Sequence, residues 1–102
     1  MKEIYHPPTE QIKLINVFYA LSDQTRLRIF KKLFGIGEHS CRDLDVSMAK
    51  STLSHHIRVL RESGIIKIRS EGTQRLVSLR CDDLEIRFPG LLEVILYASE
   101  PV

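Results

Sequence analysis

Ser51, Thr52, Ser54, His55 and Arg58 place three hydroxyls, an imidazole and a guanidinium along one short stretch of chain. Leu53, Ile57 and Leu60 interleave with them at i, i+4 and i+7, the spacing of a buried helical stripe. The polar groups are then left together on the open side of one helix. Short hydroxyl side chains let a helix axis approach a duplex closely and bond base edges in the major groove. His55 and Arg58 can each take a base edge or a phosphate, and the free N–H groups at a helix start suit a phosphate. Taken alone, the stretch would usually be read as no more than an N-cap and a polar, solvated helix face. His56 reads as a flank or packing residue.

The segment that follows decides between these readings. Gly64 stops the helix, and residues 65–70 then read as a strand. Glu71 and Gly72 form a tip that Thr73 can share, and residues 74–80 return with Val77 and Leu79 on one side. Such a hairpin is stable only when packed on helices. Lys67, Arg69, Arg75 and Arg80 alternate along it, placed to meet phosphates or the adjacent minor groove or to guard the strand edges. Lys67 and Arg69 share a face, and Arg75 is a candidate to join them across the ladder. Helix, glycine stop and basic hairpin together outline a recognition helix followed by a wing.

Other elements must hold this pair in place. Pro7 and Pro8 end an N-terminal arm, and Thr9 is expected to cap a helix over 9–20. Ile12, Ile15, Phe18 and Tyr19 recur along it at helical spacing, widened by Leu14, Val17 and Leu21. Asp23, with Ser22 as rival, caps a second helix that turns Leu27, Phe30, Leu33 and Phe34 inward and leaves Arg26, Lys31 and Lys32 outside. A small helix over 41–46 carries Leu44 and Val46 to the core, and a turn over 47–50 leads into the recognition helix. Asp82, Asp83 and Glu85 lie in an expected loop, and Pro89–Gly90 open a last helix over 91–99. Leu91, Leu92, Ile95 and Leu96 give that helix more apolar surface than a lone terminal helix should expose. Dimerisation through the 9–20 and 91–99 helices is the preferred explanation.

The stretches LSDQTRLRIF (21–30), STLSHHIRVLRESGII (51–66) and IRSEGTQRLVSLR (68–80) resemble the arsenical-resistance repressor (ArsR/SmtB) family of winged helix-turn-helix regulators. With the flanking helices, the likeness spans nearly the whole chain. It implies a mostly α fold of about five helices with a two-stranded β-wing, in one domain over 1–102. It also implies a homodimer that represses transcription from a palindromic operator, with the first and last helices at its interface. By that likeness Ser51, Thr52, Ser54, His55 and Arg58 are DNA-reading positions, and Arg69, Gly72, Thr73 and Arg75 lie in the wing. Lys50 and Lys67 join them as flanking cations. The segment before the recognition helix is shorter than the family pattern. The family's metal sites, paired cysteines ahead of the recognition helix or Asp and His on the last helix, have no counterpart here.

Composition bounds the remaining choices. The 102 residues suit one small domain whose modest core favours a partner subunit. Net charge is only +2, but it is unevenly spread. Residues 47–80 carry seven Lys or Arg against Glu62 and Glu71, a net of +5, whereas residues 81–102 carry a net of −4. A concentrated basic face fits a nucleic-acid partner, here double-stranded DNA, although such runs usually mark a solvated surface and only the helix and wing pattern beneath the charge lifts the nucleic-acid reading. Cys41 and Cys81 form no metal motif or disulfide framework, and each is expected to be a reduced, buried thiol, with oxidation sensing as the alternative. His55 and His56 are consecutive, so their side chains diverge by about 100° and make no zinc pair. No leader and no membrane-spanning run is read, so a cytoplasmic protein is expected. No phosphate loop or nucleophile elbow is present, and a site built from His39, Cys41, Asp43 and Asp45 has nothing to favour it over loop decoration. A non-enzymatic protein without cofactor or metal follows. The rival to a DNA-binding regulator is a protein-interaction module on the same scaffold.

Overall fold

A computed structural model describes residues 4–44 and 48–98. Val46 and Ser47, like Asp45 and Ser99, lie outside them. Five α-helices and a small antiparallel sheet build a winged helix-turn-helix: α1 (Leu14–Leu21), α2 (Gln24–Leu33), β1 (His39–Ser40), α3 (Lys50–Glu62), β2 (Ile66–Glu71), β3 (Gln74–Leu79), α4 (Cys81–Arg87) and α5 (Leu91–Tyr97). Phe30, Ile29, Leu33, Ile12, Leu44, Leu60, Ile65, Ile66 and Leu84 fill the core, fully buried.

The expected 9–20 helix is two pieces. Thr9–Gln11 is a single 3-10 turn, and α1 starts only at Leu14. Ile12 between them is extended and buried. Its carbonyl accepts from Arg87 at 3.1 Å (Nε) and 2.7 Å (Nη2), which removes the acceptor that a continuous helix needs. The Thr9 hydroxyl donates to Asp83 Oδ1 at 2.7 Å and caps nothing.

Asp23 caps α2, its carboxylate accepting from the Arg26 N–H at 3.0 Å. Ser22 turns back to close α1, donating to the Tyr19 carbonyl at 2.6 Å. The buried stripe of α2 is Arg26, Ile29, Phe30 and Leu33, so the expected phase changes: Arg26 points inward, and Leu27 and Phe34 are only partly buried. The small helix before α3 is a 3-10 turn over Cys41–Asp43, followed by a buried Leu44.

Ile57 and Leu60 anchor α3, and Leu53 is half-buried. The helix ends where Gly64 takes φ +91, and the Ile65 N–H reaches back to the Leu60 carbonyl at 3.1 Å. A Cβ on Gly64 would lie 2.6 Å from Ile12 Cγ1, so glycine is needed for space as well as for backbone. The wing hairpin forms with Gly72 and Thr73 as its two-residue tip, Glu71 pairing with Gln74. β1 adds a third, short strand beside β3, in the order β1-β3-β2.

The acidic segment expected as a loop is α4. Asp82 and Asp83 stand in its first turn, where carboxylates suit the helix dipole, Arg87 stands in its last, and Leu84 is buried.

Candidate nucleic-acid interface

Lys50, Ser51, Thr52, Ser54, His55 and Arg58 are all exposed on α3. Burial of Ile57 and Leu60 fixes that side outward. An open groove runs between α3 and the wing. Lys50, Ser51, Ser54, His55, Arg58 and Arg61 line one wall, and Thr73, Gln74 and Arg75 line the other. Ser40, Cys41 and Arg42 also border it, and Leu53, Ile57 and Ile68 are among its apolar lining. Among the described residues the lining holds five cationic side chains and no carboxylate. Cations gathered on a concave surface focus a positive field along it.

The wing divides its basic residues between two faces. Ser70 pairs with Arg75, Ile68 with Val77 and Ile66 with Leu79, so Arg75 continues the face that carries the buried residues toward the helices. Lys67 pairs with Ser78 and Arg69 with Leu76, on the other face. Arg75 therefore does not share a face with Lys67 and Arg69. Arg75 and Thr73 line the groove, whereas Lys67, Arg69 and Gly72 do not, and neither does Thr52. Arg69 is also held by carboxylates: Nε and Nη2 donate to Glu38 at 2.6 and 2.8 Å, and Nη2 lies 2.9 Å from Glu71. This bidentate pairing lowers the Glu38 pKa and raises that of Arg69.

Arg80 is buried and does not belong to the basic wing surface. Its Nε donates to Asp83 at 3.0 Å and its Nη1 to the Pro7 carbonyl at 2.8 Å. The Thr9 hydroxyl and then Arg80 hold the Asp83 carboxyl below its ordinary pKa. The same arm crosses the open edge of β2, where His6 Nε2 accepts from the Ile68 N–H at 3.0 Å. Arg61 reaches back from α3 to the Tyr5 carbonyl at 2.6 Å.

His56 faces inward from α3, where Arg26 Nη1 meets its Nδ1 at 3.1 Å. Burial raises the pKa of Cys41, and burial and then Asp82 raise that of Cys81, so neither thiol is primed as a thiolate. Cys41 is partly buried and Cys81 is exposed, which corrects the expectation of two buried thiols. No three His, Cys, Asp or Glu gather at metal-binding spacing among the described residues. No helix among them is long and apolar enough to cross a membrane.

Sequence reasoning did not place Arg42 or Arg61 in the groove. Arg61 stands three residues beyond Arg58 and so on the same side of α3, a signal that could have found it. Arg42 reaches the groove only because β1 pairs with β3, and a two-residue strand leaves no pattern in the sequence.

A helix presented by a helical core, with a cationic groove between it and a β-wing, defines a winged helix-turn-helix DNA-binding regulator of transcription. The family described as "Bacterial regulatory protein, arsR family" matches residues 23–67. The uncharacterized HTH-type transcriptional regulator YceK of Bacillus subtilis (strain 168) is 38% identical over 82 residues, covering 78% of this chain and 82% of that protein. The transcriptional repressor SdpR of the same organism is 30% identical over 82 residues, covering 78% and 90%. A crystal structure of an ArsR family transcriptional regulator superposes with a TM-score of 0.65 at 26% identity, covering 95% of this chain and all of that one. The chain belongs to the arsR family.

Proposed function

We propose that the protein is a transcriptional repressor that binds a palindromic operator as a homodimer. The observation that carries this reading is the groove between α3 and the wing, with five cations, no carboxylate among its described lining, and hydroxyls along the exposed front of α3. The cations suit two phosphate backbones, and Ser51, Thr52, Ser54, His55 and Arg58 suit base edges in the major groove. Thr73 and Arg75 extend the contact from the wing.

A second surface supports the dimer. Ile15, Phe18 and Tyr19 on α1 and Val94 and Tyr97 on α5 are exposed, and an apolar hollow lies between these helices beside Leu21 and Leu27. Ile12 and Leu92, expected at that interface, are buried in the core of the same subunit and are unavailable to a partner. Leu91, Ile95 and Leu96 are partly buried and border it. Two recognition helices related by a two-fold axis would meet half-sites about 34–36 Å apart, one helical turn of DNA.

The test is selection of an operator from random duplexes, followed by mobility-shift titrations across a salt series. A repressor gives one enriched palindrome, a steep fall in affinity with salt, and strong preference over random DNA. Uniform weak binding to every duplex, with tight capture of a single protein, would establish the interaction-module alternative.

A further inference from the structure

We infer that Arg26 is the positioning residue that sets the rotation of the recognition helix, acting through His56. The inference rests on the reading of α3 as the DNA-contacting helix. Arg26 is a charged side chain only 6% exposed, and it makes directed bonds to two other elements. Its Nε donates to the Ala20 carbonyl at 2.7 Å, in the last turn of α1, where carbonyls lack helical partners. Its Nη1 meets His56 Nδ1 on α3 at 3.1 Å. A guanidinium can only donate, so Nδ1 accepts and carries no proton in this arrangement. The Arg26 N–H donates to Asp23, whose carboxylate lies 3.8 Å from the same ring nitrogen. The guanidinium carbon lies over the Tyr19 ring, 5.4 Å from the ring centroid.

The other contacts of α3 guide its rotation less: Arg61 bonds the Tyr5 carbonyl at 2.6 Å, but through an exposed side chain in the last turn of the helix. Ile57 and Leu60 bury apolar surface, which is non-directional. A rigid planar fork bonded to the end of α1 and to the ring of His56 supplies a buried, directed contact at the middle of the helix. A turn of about 20° about the axis of α3 would move its outer side chains by roughly 2 Å, given a helix radius of about 5–6 Å. Recognition tolerates about 0.5 Å. His56 directly follows His55 and stands two residues before Arg58, so its ring fixes the angle at which both leave the helix.

The experiment compares wild type, His56→Leu, Arg26→Lys and His56→Gln on the selected operator and on random duplex. His56→Leu removes the acceptor. Arg26→Lys keeps the charge and loses the fork. His56→Gln restores an acceptor and is the rescue. The expected result is a fall of roughly tenfold in the operator-to-random ratio for His56→Leu and Arg26→Lys, the scale of one lost base contact. Random-duplex affinity and salt slope should stay at wild-type values, and His56→Gln should recover most of the ratio. Imidazole nitrogen NMR should show an unprotonated, hydrogen-bonded Nδ1 at His56 that changes in Arg26→Lys. If His56→Leu does not fold, Arg26→Lys carries the same comparison. A folded variant with an unchanged ratio overturns the inference, as does an equal loss on both duplexes. A wild type without any operator preference removes the DNA reading itself, and this inference falls with it.

Discussion

At the residue scale, the arginines and lysine of the wing differ in what they are free to do. Arg75 lines the groove, whereas Arg69 is clamped by Glu38 and Glu71 on the opposite face. Arg75→Ala should weaken binding to every duplex and reduce the salt slope by about 0.9, the effect of one lost phosphate contact. Arg69→Ala should change the slope much less. Equal slopes for the two variants in a salt titration would contradict the face assignment. His6 offers a separate test. Burial, and then the charges of Arg61 and Arg80, depress its pKa below the ordinary 6.5. The folded state thus favours neutral His6, whose Nε2 accepts from Ile68. Its contribution to stability is fully present above pH 6.5 and is lost as pH falls through the lowered folded value. Thermal melts across this range should show wild type losing more stability than His6→Gln. Parallel curves would mean that the ring does not hold the arm to the edge of β2.

At the element scale, Gly64 and Gly72 separate two reasons for a glycine. Both have positive φ, but only Gly64 has a neighbour where a Cβ would go. Gly72→Ala should cost about 1–2 kcal/mol, the backbone penalty alone. Gly64→Ala should cost more, because Ile12 is fully buried and must shift. Denaturant melts that show the two variants equally destabilised would remove the close approach as a cause. On α3, Leu60→Ala should cost about 2–5 kcal/mol as a fully buried leucine, and half-buried Leu53→Ala should cost less. The recognition helix and wing were legible in the sequence because each repeats a simple period, about 3.6 or 2, between glycines. The break at Ile12 was not, because it depends on Arg87, 75 residues away, taking its carbonyl. The inward turn of Arg26 was hidden for a similar reason. A lone arginine reads as exposed until the carbonyl of Ala20 and the ring of His56 are brought to it. The run Asp82, Asp83 and Glu85 read as loop on charge alone, although acidic residues are also what a helix start favours.

At the scale of the whole molecule, the basic groove and the exposed apolar face make different demands, and the proposed two-fold dimer would meet both. Ile15 is 69% exposed, Val94 70% and Tyr97 78%, on the two terminal helices and outside the groove lining. Covering them removes apolar surface from water while leaving α3 and the wing free. In such a dimer, linking two reading heads would make the second half-site contact intramolecular, and full-site affinity would then far exceed that of one head. Ile15→Glu places a charge on this face without touching the core or the groove. The expected protein is a folded monomer by sedimentation and circular dichroism. It should keep weak, salt-sensitive binding to any duplex through Arg58 and Arg75, and lose the greater part of its preference for the full operator over an isolated half-site. An Ile15→Glu protein that still sediments as a dimer would move the interface elsewhere. A monomer that binds the full operator as tightly as wild type would show that one head suffices, and the apolar face would then have to serve another partner.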